Sequence, residues 1–321
     1  MADAIKGVVL LSMGEPESLD AVRPYLRELL SDPDLVSLPV PFLRPAFAWG
    51  VSILGSGRLR RTLREMGGGS PLVRLTARQG QALEQALRKR GDFRVHWAMR
   101  YGAPSAQDAA RRLQAEGAQS VVALPLYPQY CKATSGSSLK DLKERMREQG
   151  LRLPLREIRS WADHPGFVAA LGELVARTLA RAAGQKAHIL FSAHSVPLSF
   201  IKAGDPYLAD VERTVAAVSG VFPDIAHSLS FQSRGGRGEW LGPAIVDETE
   251  RLARSGVEAL VVVPVSFVCD HSETLHELDI ELRRAAQAAG IRTFLRVPAL
   301  NDSPLFIEAL EDLVLRAEAA A

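Results

Sequence analysis

At 321 residues, 47% hydrophobic and 24% charged, the chain has the balance of a globular protein of about two domains and not of a disordered one. A net charge of +2 is too small to imply a nucleic-acid partner. Two cysteines, Cys131 and Cys269, exclude a four-thiolate zinc or iron–sulfur site and a disulfide framework, which points to a reducing compartment.

The N-terminal Met1-Ala2-Asp3-Ala4-Ile5-Lys6 runs into a strand-like segment without a basic n-region, a long apolar core or a cleavage site. Strand patterns in the first half fall near 7–12, 93–99, 120–126 and 153–157, with helical patterns near 73–90, 105–117 and 137–149. Residues 35–66 stand apart: Phe42, Leu43, Phe47, Trp49, Ile53 and Leu54 precede Arg58, Arg60, Arg61 and Arg64. Such an insertion reads as a lid or binding loop, or as a helix packed on the first lobe with its arginines in water. Pro39, Pro41 and Pro45 argue against one long buried helix and against a membrane span. A soluble, cytoplasmic protein is the expectation. The second half gives strands near 187–193, 226–231, 258–265 and 291–296. Its helical patterns lie near 166–183, 206–219, 243–255, 273–289 and 304–320.

Alternating strands and helices imply an α/β fold of parallel sheets flanked by helices. The order also repeats. Gly117-Ala118-Gln119-Ser120-Val121-Val122-Ala123-Leu124-Pro125 is similar to Gly256-Val257-Glu258-Ala259-Leu260-Val261-Val262-Val263-Pro264, and Leu10-Leu11-Ser12-Met13-Gly14 parallels Leu190-Phe191-Ser192-Ala193-His194. The predicted architecture is two Rossmann-like lobes, 1–160 with the insertion and 161–321, with strand ends of both lining one cleft. Whether the final helix packs back on the first lobe is left open.

Candidate chemistry sits where strands end. His194 closes an apolar run and precedes Pro197, where an imidazole can take a proton or bind a metal; the plainer alternative is a histidine satisfied by loop carbonyls. The strand near 258–265 leads to Asp270, His271 and Glu273, with Glu277 one turn on and sharing a helix face with Glu273. Such a row of acids can pass a hydrated cation or accept protons, but Asp270 and Glu273 also read as a capping box. His271 and His276 are poorly spaced for joint metal ligation on a helix. No Gly-x-Gly-x-x-Gly follows the first strand, Gly67-Gly68-Gly69-Ser70 lacks a P-loop lysine, and no Gly-x-Ser-x-Gly elbow is present.

The motifs taken together resemble the ferrochelatases, which insert Fe²⁺ into a porphyrin during haem synthesis. The resemblance runs from Ser12-Met13-Gly14-Glu15-Pro16 and Leu30-Ser31-Asp32-Pro33 through Gly67-Gly68-Gly69-Ser70-Pro71-Leu72, Met99-Arg100-Tyr101-Gly102 and Tyr127-Pro128-Gln129-Tyr130. It continues with Phe191-Ser192-Ala193-His194-Ser195, Phe231-Gln232-Ser233-Arg234, Trp240-Leu241-Gly242-Pro243 and Cys269-Asp270-His271-Ser272-Glu273. It implies that His194 and Glu273 are the catalytic and metal-site pair, with Asp270, His271 and Glu277 on the proton and metal path. Met13, Arg100, Tyr101, Tyr127 and Trp240 then match porphyrin-binding positions, and Ser70 a position near a porphyrin carboxylate. An apolar lip around Leu29, Leu30, Pro39, Phe42 and Leu43 would shape the pocket mouth.

The implied partners are the porphyrin and Fe²⁺, both substrates, and no permanently bound cofactor. A weak peripheral contact with the inner face of a membrane is left open, and a monomer is the expectation. Two cysteines leave no ligand set for the iron–sulfur cluster carried by some relatives, so none is expected. Gly235-Gly236-Arg237-Gly238-Glu239 departs from the family's Val-Gly-Pro after Ser-Arg. Met13, where coproporphyrin-using members often carry tyrosine, favours protoporphyrin IX. The alternatives are a coproporphyrin ferrochelatase, a related cobalt or nickel chelatase, and a non-catalytic bilobal haem-binding protein.

Overall fold

Val- and Leu-rich runs without polar alternation form parallel strands buried on both faces. The computed structural model describes residues 4–33, 44–235 and 238–320, with backbone alone at 44–47 and 54. The chain divides into two compact units. One comprises Met1–Tyr127, Cys131–Arg159 and Leu310–Ala321, the other Pro128–Tyr130 and Ser160–Ala309.

In the first unit the chain runs β1 (Lys6–Ser12), α1 (Val22–Ser31), α2 (Arg44–Glu65), α3 (Leu72–Leu87), β2 (Phe93–Met99), α4 (Ala106–Glu116), β3 (Ser120–Pro125), α5 (Ser137–Glu148) and β4 (Leu155–Glu157). The sheet order is β2-β1-β3-β4, all parallel, with Lys6 opposite both Phe93 and Ser120. Its core packs Val9, Leu11, Val121 and Ala123 against Leu113 of α4 and Leu139 and Leu142 of α5. Ser105 and Asp108 cap α4 reciprocally, and Gly117 ends it in the left-handed region at φ 73°.

Within the inserted segment the described residues form the helix α2, Arg44–Glu65, which is the helical one of the two readings of the sequence. Ala48, Ser52, Ser56 and Leu63 are buried, while Trp49 is 59% and Ile53 39% exposed. Helix α1 packs along α2. Residues 34–43, including Pro39, Phe42 and Leu43, lie outside the described residues.

The second unit runs α6 (Pro165–Ala180), β5 (Ala187–His194), α7 (Leu198–Lys202), α8 (Tyr207–Ser219), β6 (His227–Gln232), α9 (Ile245–Arg254), β7 (Ala259–Pro264), α10 (Arg283–Ala288), β8 (Thr293–Arg296) and α11 (Pro304–Ala319). Residues of α11 from Leu310 onward belong to the first unit, where Glu318 pairs with Lys6 at 3.3 Å and Arg156 at 2.9 Å. The second sheet has order β6-β5-β7-β8, the connectivity of the first repeated. Its core joins Leu190 and Val262 to Leu252, Leu278, Leu282 and Phe294. The parallel extends to punctuation. Pro125 and Pro264 close β3 and β7 opposite Leu11 and Ser192, and Gly256 has φ 79° just beyond α9.

The helical pattern over 273–289 is not α throughout. Glu273–Leu282 is a π-helix that passes into α10, as a shorter π turn over Lys132–Gly136 passes into α5. The fold is therefore α/β and internally duplicated down to its irregular turns.

Candidate active site

Strands β5 and β7 are neighbours at the centre of the second sheet, and the connections leaving them run to opposite edges, to β6 and to β8. Such a switch point opens a crevice at the strands' carboxyl ends. His194 is the last residue of β5 and lies in register with Gln232, the last of β6. Glu273 opens the π-helix that follows β7. The imidazole Nδ1 of His194 donates to Glu273 Oε2 at 2.7 Å. A carboxylate only accepts, so in the neutral ring Nε2 keeps the lone pair. The hydroxyl of Tyr207 donates to the His194 carbonyl at 2.8 Å and fixes the strand end.

Burial alone would lower the His194 pKa, but the Glu273 carboxylate outweighs it and holds the ring above its ordinary value. Burial alone would raise Glu273, but the His194 ring, with His271 and the Ser233 hydroxyl, draws it down to about 2. Glu277 behaves oppositely: burial and the Glu273 charge push it above the usual carboxylate range. The environment thus pushes the pKa values of two neighbouring acids in opposite directions.

Glu277 accepts from Gln232 Nε2 at 3.0 Å, from the Ser233 N–H at 2.8 Å and from the Ser233 hydroxyl at 2.5 Å. The same hydroxyl lies 2.9 Å from Glu273 Oε2. His271 is buried, its Nδ1 donating to the Cys269 carbonyl at 3.0 Å and its Nε2 4.0 Å from Glu273 Oε1. The Phe267 ring separates the two histidines, edge-on to His194 at 6.4 Å and tilted over His271 at 4.7 Å.

The capping box expected from Asp270 does not form. Ser272 precedes the π-helix without a side-chain cap, and the Glu273 carboxylate turns to His194. The Asp270 carboxylate accepts instead from Arg296 at 2.9 Å, Asn301 at 2.9 Å and Thr274 at 3.0 Å. Asp270 therefore braces the start of the π-helix, joined to the site through that backbone. Trp240 bridges to Pro197 by backbone pairing and is half-buried; Gly236 and Arg237 before it lie outside the described residues.

In the first unit the residues after β1 and β2 meet. Tyr101 N–H donates to the Met13 carbonyl at 2.9 Å. Gly14, at φ 85°, allows this approach, since a Cβ there would lie 2.1 Å from the Tyr101 carbonyl oxygen. Met13 is half-buried. Arg100 donates from Nε to Ser137 Oγ at 2.7 Å and from Nη2 to Asp32 Oδ2 at 2.5 Å. Tyr101 and Ser137 donate to that same Asp32 oxygen at 2.7 and 3.0 Å. Burial, reinforced by Asp32, pushes the Tyr101 phenol up, and burial does the same to Tyr127. Ser70 is buried at the start of α3, its hydroxyl accepting from Leu72 N–H at 3.3 Å. Leu29 and Leu30 are half-buried on α1, and Phe42 lies outside the described residues.

Asp32, Gln232 and Ser233 stand out in the sequence only as members of motifs. Asp32 followed by a proline reads as the end of a helix, and nothing local signals a buried acceptor for three side chains. Among the described residues no group of three or more His, Cys, Asp or Glu is arranged to hold a metal ion. His194 and Glu273 offer two ligands, so a cation meeting them would keep water or other groups at its remaining positions.

The sequence model of the Ferrochelatase family matches residues 5–318. The chain is 44% identical over 315 residues to a ferrochelatase of Synechococcus sp. strain RCC307, covering 96% of this chain and 81% of the relative. It is 43% identical over 308 residues to a ferrochelatase of Citrifermentans bemidjiense, covering 96% of each. Among solved structures, the sirohydrochlorin chelatase SirB of Bacillus subtilis subspecies spizizenii in complex with cobalt aligns with a TM-score of 0.55 and 10% identity, over 99% of this chain and 95% of that one. That likeness concerns the fold alone. With a family match along nearly its whole length and relatives at this identity, the chain belongs to the ferrochelatase family and is a metal chelatase.

Proposed function

We propose that the chain inserts Fe²⁺ into protoporphyrin IX, giving protohaem with release of two protons. The observation that carries this reading is the His194–Glu273 pair at 2.7 Å, set at a sheet switch point in a chain of this family.

Metallation requires two pyrrole N–H protons to leave and a hydrated cation to shed water. His194, with Nδ1 tied to Glu273, has Nε2 left to act as the proton acceptor or metal relay whenever that nitrogen carries no proton. Ionised Glu273 attracts the cation. Glu277 stands next in line, its pKa pushed up by burial and by the Glu273 charge, and His271 lies beside Glu273. In the first unit, Arg100 arrives with its guanidinium oriented by Asp32 and Ser137 and is assigned to a porphyrin carboxylate. Met13, Tyr101, Tyr127, Trp240 and the lip residues are assigned to the ring. The preference for protoporphyrin IX rests on Met13. No iron–sulfur cluster enters this reading, since two cysteines are too few to ligate one.

The chain is assigned to the cytoplasm, with a weak contact between α2 and anionic membrane. Trp49 and Ile53 are exposed on that helix, Arg58 and Arg61 are also exposed, and no described helix is long and apolar enough to cross a membrane.

The test is anaerobic Fe²⁺ insertion into protoporphyrin IX and coproporphyrin III in parallel, followed by absorbance. The reading predicts a higher kcat/KM for protoporphyrin. The reverse order assigns the chain to coproporphyrin, and inertness toward both overturns the proposal.

A further inference from the structure

The chain leaves β6 through an unusual step. Ser233 has φ 61°, a left-handed backbone that a residue other than glycine rarely adopts without a reason in its surroundings. Here the conformation aims two donors at once. The backbone N–H reaches Glu277 Oε1 at 2.8 Å, and the hydroxyl lies against both acids, 2.9 Å from Glu273 Oε2 and 2.5 Å from Glu277 Oε2.

The oxygen of Glu273 that Ser233 touches is the one that accepts from His194 Nδ1. Two side chains from different strand ends therefore fix one carboxylate oxygen and set the plane of the group. The other oxygen, Oε1, takes no part in either bond. Gln232 acts elsewhere. Its Nε2 donates to the Glu273 carbonyl at 2.9 Å and to Glu277 at 3.0 Å, with the amide oriented by Ser192 donating to its Oε1 at 2.6 Å. Gln232 thus tethers the backbone of the π-helix, while the Ser233 hydroxyl holds the carboxylates.

We propose that Ser233 is a positioning residue for metal insertion: its hydroxyl bridges Glu273 and Glu277 and keeps Glu273 aligned on His194. This inference rests on the roles proposed above for His194 and Glu273.

The test compares Ser233→Ala and Ser233→Gly with the wild type and with His194→Ala. Both Ser233 variants keep the backbone N–H and lose the hydroxyl, and glycine also removes the left-handed strain. Zn²⁺ insertion would be measured for kcat and apparent KM of metal and porphyrin, alongside porphyrin binding by fluorescence quenching and thermal unfolding. Loss of such an outer partner predicts a fall of about 10- to 100-fold in kcat/KM for the metal in both variants. Porphyrin affinity should not change, and Ser233→Gly should melt no lower than Ser233→Ala. Wild-type metal kinetics in Ser233→Gly would overturn the inference and leave the residue a backbone feature. A loss confined to porphyrin affinity would overturn it too. If instead the wild type inserts no metal, or His194→Ala remains fully active, the functional reading itself fails, an outcome visible in the control arms.

Discussion

His194 is a side chain whose position on the sheet and whose partner both matter. Its Nδ1 is committed to Glu273, so the ring can act only through Nε2. Replacing it by alanine should abolish metal insertion while porphyrin still binds and the fold survives; full activity would return His194 to a structural part. Glu273→Gln should slow insertion strongly, whereas loss of a merely structural hydrogen bond would cost about 1 kcal/mol of stability and leave turnover intact. Asp32 presents the opposite case. Its side chain is 1% exposed and accepts from Arg100, Tyr101 and Ser137. Asp32→Asn leaves the Arg100 charge without its partner and should destabilise the protein by about 3 kcal/mol, read as a lower urea midpoint. An unchanged midpoint would show that water compensates Arg100 instead.

At the scale of elements, strands were legible because burial on both faces demands runs such as Val261-Val262-Val263, and helix ends because Ser105 and Gly117 cap by local chemistry. The π-helix was not. Its hydrogen bonds run one residue longer than those of an α-helix, and the apolar spacing over 273–289 does not distinguish the two. Ser233 was hidden for a related reason: its role depends on a left-handed φ and on the fold bringing residues 273 and 277 to it. Helix α2 was legible only as one of two readings, because the prolines of the segment also suit a loop. With Trp49 and Ile53 exposed near Arg58 and Arg61, α2 should bind anionic vesicles weakly at low salt. Charge reversal at Arg58 and Arg61 should reduce the sedimented fraction; no binding at low salt would confine this helix to the protein's own packing. Strand β5 carries a second titratable group, His188, which is buried, bonds to Ser228 on β6 at 3.0 Å and is pushed by burial down to about 4. The folded state therefore holds this ring neutral while the unfolded chain protonates it near its ordinary value of 6.5. Stability from this site is complete above that value and is lost as pH falls from 6.5 toward about 4. Urea midpoints measured across this window should fall, and His188→Gln should flatten the fall.

Across the whole molecule, one βα unit has been written twice and then specialised. Both sheets share one connectivity, both pass from the third strand through a π turn into a helix, and both close that strand on a proline. The chemistry is not duplicated. Where β5 ends on His194 against Glu273, β1 leads into Met13 and Gly14, and the residues after β2 offer an arginine oriented by Asp32. A non-catalytic haem-binding protein would have no need of the His194–Glu273 pair. Turnover is therefore the property that separates an enzyme from a receptor on this fold. The most direct measurement follows free-base porphyrin fluorescence with porphyrin in large excess over enzyme, after addition of Zn²⁺ or anaerobic Fe²⁺. The account predicts many porphyrins metallated per protein molecule, with that turnover lost in His194→Ala. Consumption that stops at one porphyrin per protein, or proceeds equally without His194, would contradict it.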